Sequence, residues 1–133
     1  MMAEVYAVAK QWWLEWNHQH AMCPNFEAYR ALILAGVVKC FCARVDGELI
    51  GYAIFGISVS THSGVLRAEL DTMAFLSGQR GFGSLKFVRQ CIDQLLEDGV
   101  KEIAMSVTPQ RDYSKILLRK GFKLDSTVYA LRA

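Results

Sequence analysis

Residues 72–85 read Thr-Met-Ala-Phe-Leu-Ser-Gly-Gln-Arg-Gly-Phe-Gly-Ser-Leu, and the fold turns on this stretch. Thr72–Leu76 is an apolar, strand-like run, and an amphipathic helix begins near Leu85. Between them lies the turn Arg80-Gly81-Phe82-Gly83-Ser84. A strand, a glycine turn and a helix bring several backbone N–H groups to the positive end of a helix dipole, where phosphate binds readily. Glycine suits such a turn because a Cβ would block close approach of the backbone to a ligand and disfavour positive φ.

Working outward, residues 3–19 contain neither Gly nor Pro, and Val5, Val8, Trp12 and Trp16 recur at helical spacing. Ala21–Asn25 breaks that helix. Asn25 can cap a second one that carries Phe26, Tyr29, Ala31, Leu32 and Ile33 and stops at Gly36. Residues 37–45 and 48–60 read as strands joined by Asp46-Gly47, a strong hairpin signal. Thr61–Gly64 turns into a third strand, Val65–Leu76. The helix at 85–97, with Val88, Ile92, Leu95 and Leu96 on its apolar face, ends at Gly99. A strand over 100–107, a short helix over 111–119 closed by Gly121, and a last strand over 122–131 complete the chain. The order α-α-β-β-β-α-β-α-β predicts an α/β (α+β) fold, with a mixed sheet and helices on both faces.

With 133 residues, 53% of them hydrophobic and 21% charged, the whole chain (1–133) reads as a single globular domain. A net charge of +2 gives no electrostatic footprint for nucleic acid. No apolar run reaches the length of a membrane span, and Met1–Lys10 lacks the features of a signal peptide. Cys23, Cys40, Cys42 and Cys91 lack the spacing of a disulfide framework, so reduced thiols and a cytoplasmic location are expected.

The element order, the glycine turn after the third strand and the terminal Lys120-Gly121-Phe122 together resemble the GNAT superfamily of acyl-CoA N-acyltransferases. The likeness covers nearly the whole chain. In that family the turn, Arg/Gln-x-x-Gly-x-Gly/Ala, wraps the pyrophosphate of acetyl-CoA. Aligned without a gap, Arg80 takes the first position and Gly83 the fourth, with Leu85 in the small sixth place. A slide of two residues would put Gly81 and Gly83 in the glycine places but Gly78 where Arg or Gln belongs; retaining Arg80 favours the first alignment. Relative to the family, a first strand is missing before the helical pair. The eleven residues after Phe122 leave room for one closing strand where two are common. A second subunit's strand could complete that exposed edge as a homodimer.

The resemblance also implies functional residues. Cofactor contacts would come from the backbone of Met73, Ala74 and Phe75 on a splayed third strand, and from Arg80, Gly81, Phe82, Gly83, Ser84 and Leu85 in the turn. Gln110 and Ser114 would add to them. The Met73 N–H would face the oxyanion, where a donor helps because charge develops only as the tetrahedral species forms. An amine acceptor, small molecule or protein, needs a base because it attacks only when neutral. Glu69 matches the position of a catalytic glutamate in some members, and Asp71 shares its face; alternatively both line a solvated strand face. Many members protonate the leaving thiolate from a tyrosine at the position held here by Leu117. Tyr113, one helical turn earlier, could substitute, or it is an ordinary helix residue.

The function expected from the resemblance is an acetyl-CoA-dependent N-acetyltransferase working by direct attack in a ternary complex. Its alternative is a catalytically weak or inactive GNAT-like binding module, similar to some bacteriophage-encoded domains. No metal is expected: His18-x-His20-x-x-Cys23 lacks a convincing fourth ligand. Cys40-x-Cys42 reads as buried small hydrophobes rather than a redox pair. Lys115, Arg119, Lys120 and Lys123 could attract the 3′-phosphate, or form a solvated charged face.

Overall fold

The computed structural model describes residues 2–15, 25–76, 82–107 and 112–131. Two helices, α1 (Met2–Glu15) and α2 (Phe26–Leu34), precede strands β1 (Val38–Val45), β2 (Glu48–Val59) and β3 (Leu66–Phe75). Helix α3 (Phe82–Glu97), strand β4 (Glu102–Ala104) and helix α4 (Ser114–Arg119) follow. The sheet order is β1-β2-β3-β4, with antiparallel neighbours except for β3 and β4, which are parallel.

Local chemistry accounts for the element ends. Asn25 adopts extended backbone and its side chain accepts the Ala28 amide at 3.0 Å, capping α2. Asp46 and Gly47 both have positive φ, 51° and 81°, as the twist-compatible two-residue hairpin demands.

Two apolar layers cover the sheet. One packs Phe87, Val88, Cys91, Ile92 and Leu95 of α3, with Leu117 of α4, on Ala53 and Phe55 of β2 and Met73 and Phe75 of β3. The other sets Val5, Val8 and Ala9 of α1 on Leu49, Tyr52, Ile54 and Ala74. The core stripe of α3 is thus 87/91/95 with 88/92, and Leu96 lies off it, 51% exposed. Among the described residues no helix is long and apolar enough to cross a membrane.

Several expected boundaries differ, among them that of α4, expected over 111–119 and found as Ser114–Arg119. Helix α3 starts at Phe82 and so takes Gly83 and Ser84 into its first turn. Strand β4 is three residues, not eight, because its parallel ladder reaches only Arg67, Ala68 and Glu69. The closing strand expected over Phe122–Leu131 does not form: Leu124, Val128, Tyr129 and Leu131 are 79–96% exposed. Alternating apolar residues make a strand only against a partner edge, and a three-residue β4 offers little edge to join.

Gly51 is in register with Phe75, and a Cβ at Gly51 would overlap the Phe75 ring. That ring is fixed edge-on against Phe87, centroids 5.3 Å apart. Gly51→Ala should therefore lose about 1–3 kcal/mol by overpacking. Urea unfolding would show a lower midpoint at unchanged slope, and an unchanged midpoint would contradict the packing argument.

Candidate functional site

A bulge on β3 aims the candidate side chains. Ile54 pairs with Thr72 and Phe55 with Leu70, leaving Asp71 as the extra residue. Before it, Leu66, Ala68 and Leu70 face α3; after it, Met73 and Phe75 do. The parity change places Glu69, Asp71 and Thr72 together on the α1/α2 face. Thr72 Oγ1 lies 3.1 Å from the Tyr52 hydroxyl, and the Tyr29 hydroxyl donates to Asp71 Oδ2 at 2.9 Å.

The same strand turns its backbone toward β4. Leu76 N–H donates to the Ile50 carbonyl at 2.8 Å. Alternation along an antiparallel ladder then directs the Ala74 amide to β2 and the Met73 and Phe75 amides away from it. On that side the described β3–β4 ladder runs from Arg67 and Glu102 to Glu69 and Ala104, upstream of Met73–Phe75.

Helix α3 is the next element after β3, with Gly83, Ser84 and Leu85 in its first turn. Gly83 is exposed and a Cβ there would meet nothing within 4 Å. Protein packing therefore does not require glycine at 83, and open space lies over a helix end that favours anions. Leu85 is half-buried. Arg80, Gly81 and Gln110, like Trp16 and the His18, His20 and Cys23 group, lie outside the described residues.

Tyr113 precedes α4 and its hydroxyl donates to the Ser106 carbonyl at 2.8 Å, tying α4 to the segment after β4. Ser114 N–H donates to Asp112 Oδ1 at 2.9 Å, and hydrogen bonding from Ser114 holds the Asp112 carboxyl below the usual range. Leu117 is buried in the first core. Of the basic cluster, Lys120 pairs with Asp93. Cys40 and Cys42 pack against the second core, and burial pushes the Cys40 thiol up to about 12.

A cleft of 460 Å³ lies between α2 and the sheet, lined by Asn25, Ala28, Tyr29 and Leu32 above and Val38, Gly56, Glu69, Leu70 and Asp71 below. Its volume suits a small ligand. Burial and then the bond to Asp71 push the Tyr29 hydroxyl up to about 12, so Tyr29 is a donor at neutral pH. Arg67 pairs with Glu102 and stands 3.8 Å from Glu69, whose side chain is 69% exposed. From sequence Tyr29 reads only as a residue of the second helix and Gly56 as part of a strand, neither as a site residue. The i, i+4, i+7 line of Asn25, Tyr29 and Leu32 marks a helix face, but the pairing of Tyr29 with Asp71, 42 positions away, has no local signal.

Comparison with known proteins agrees with this architecture. The sequence profile described as "Acetyltransferase (GNAT) family" matches residues 5–122. No functionally curated protein matches the sequence. Among solved structures, an aminoglycoside acetyltransferase from an uncultured soil metagenomic sample, in complex with sisomicin, superposes with a TM-score of 0.71 at 14% identity, over 98% of this chain and 88% of that one. The ribosomal-protein-alanine N-acetyltransferase of Brucella melitensis biovar Abortus 2308 gives 0.69 at 18% identity, over 98% and 91%. An integron cassette protein from the mobile metagenome of Cole Harbour Salt Marsh gives 0.74 at 16%, over 97% and 82%. At such identities the likeness carries the fold.

Proposed function

The chain belongs to the GNAT family of acetyltransferases, and from that premise we propose that it transfers an acetyl group from acetyl-CoA to an amine by direct attack in a ternary complex. The observation that carries the proposal is the exposed, unfilled space at Gly83 in the first turn of α3, the helix that follows β3, whose described pairing with β4 ends at Glu69 and Ala104. The aminoglycoside and ribosomal-protein enzymes that share the fold both act on amines, which agrees with an amine acceptor here.

Acetyl-CoA supplies an acyl group activated as a thioester. The residues present fit it: exposed Gly83 leaves room at a helix N-terminus for pyrophosphate, with Gly81, Phe82, Ser84 and Leu85 beside it and Arg80 contributing charge. Met73, Ala74 and Phe75 would run along the acyl arm, the Met73 N–H serving the oxyanion. Glu69, through water, would accept the proton of the attacking amine, and Asp71, fixed by Tyr29, would hold the incoming ammonium. Gln110 and Ser114 would contact the cofactor on the α4 side, and Tyr113 would return a proton to the departing thiolate.

Burial of Leu117 where many members carry tyrosine, and the engagement of the Tyr113 hydroxyl with Ser106, favour a second reading, a module that binds cofactor with little turnover. A thermal-shift titration followed by thiol release tests both. Cofactor at a hundred times its dissociation constant should add about 2.7 kcal/mol. No shift at millimolar acetyl-CoA would overturn both readings; a shift without thiol release from any amine would favour the module.

A further inference from the structure

The cleft under α2 has a direction. Val38, Gly56 and Glu69 are in register across β1, β2 and β3. A row across one sheet face thus runs from an apolar side chain, over a residue with none, to a carboxylate. Strand spacing makes this row roughly 10 Å long. Helix α2 lies over it with the same polarity. Its Tyr29 reaches Asp71 at the β3 end, while the Leu32 carbonyl accepts the Val37 amide at 3.1 Å at the β1 end. Among the described residues that line the cleft, the two charged ones, Glu69 and Asp71, belong to β3.

We propose that the acceptor is a primary amine with one ammonium group on an uncharged apolar body, the ammonium between Asp71 and Glu69 and the body over Gly56 toward Val38 and Leu32. The proposal rests on the acetyltransferase reading and names its substrate class. At the Val38 end an apolar body gains by covering Val38 and Leu32, whereas a second ammonium would cover neither and would meet no carboxylate among the described cleft residues. Gly56 is the specificity-determining position. Its φ is not in the left-handed range, and a Cβ there would meet only the Glu69 carbonyl oxygen, at 3.9 Å. Alanine therefore fits, whereas leucine would fill the floor.

Calorimetric titration with 2-phenylethylamine, ethylamine and 1,4-diaminobutane, with and without CoA, tests the proposal. 2-Phenylethylamine should bind at least about tenfold tighter than the diamine, since only its ring covers the apolar Val38 end. Gly56→Leu should weaken 2-phenylethylamine by about tenfold and leave ethylamine within about twofold. Leu32→Asp, at a position 41% exposed and so tolerant of charge, should raise affinity for the diamine. The proposal is overturned if the diamine binds as well as 2-phenylethylamine, or if Leu32→Asp leaves the preference unchanged. Amine preference is read directly as heat, so its loss is distinguishable from a failure of CoA to bind, which bears on the acetyltransferase reading instead.

Discussion

Glu69→Gln should lower turnover by about 10²–10⁴-fold, the usual contribution of a positioned general base, while acetyl-CoA affinity stays unchanged. Glutamine keeps the shape of the side chain and loses the ability to take a proton. The Glu69 side chain is 69% exposed and 3.8 Å from Arg67, which pairs with Glu102, so little native structure depends on it. Stability should accordingly move by less than about 0.5 kcal/mol, as for other exposed positions. Asp71→Asn is the informative companion. Asp71 is nearer to Met73 along the strand but receives the Tyr29 hydroxyl, so its loss should raise the KM for the acceptor more than it lowers kcat. Steady-state thiol release with 2-phenylethylamine, and acetyl-CoA titration of each variant, separate the two roles. Unchanged turnover in Glu69→Gln would remove it as the base, and a collapse of kcat confined to Asp71→Asn would move that role to Asp71.

Much of the fold was legible because its signals are local. The Asp46-Gly47 hairpin depends on the positive φ that those two residue types tolerate, and the start of α2 on the oxygen of Asn25. The pair Glu69 and Asp71 was legible from period-two alternation. What alternation could not show is that the strand changes parity immediately afterwards. Met73 would share the Glu69 face in a regular strand, but the bulge at Asp71 turns its side chain into the α3 core. Nothing in the local sequence announces the bulge, because it is a misfit between two strands. The closing strand failed for a related reason: Val128, Tyr129 and Leu131 have strand propensity, but propensity is realised only by pairing. The cleft was illegible as a cleft, since its acid end comes from β3, its floor from Gly56 and its roof from α2.

The bulge also links the core to the site, so Phe55→Ala should be the most damaging single truncation. Phe55 is fully buried on central β2, meets Phe41 edge-on at 5.8 Å between centroids, and stands opposite Leu70 at the start of the bulge. Removing a buried phenylalanine ring costs about 3–5 kcal/mol, from lost transfer energy and the cavity that remains. For a chain of this size that lowers Tm by roughly 10–20 °C and consumes a large part of a typical folding free energy. Phe26→Ala provides the contrast. Phe26 is 36% exposed on α2 and meets the Tyr6 ring of α1 edge-on, so its loss should cost about 1 kcal/mol. Well below its Tm, Phe55→Ala should still bind acetyl-CoA, because α3 keeps Val88, Ile92 and Leu95 against the sheet. Its KM for the amine should rise, because the Leu70–Asp71 step no longer has a ring to pack on. Denaturant melts of both variants, with acceptor kinetics at low temperature, test each half. A cost below about 1.5 kcal/mol for Phe55→Ala would mean that the site can collapse around the cavity. An unchanged acceptor KM in the folded variant would mean that backbone pairing alone, and not the ring, holds the bulge.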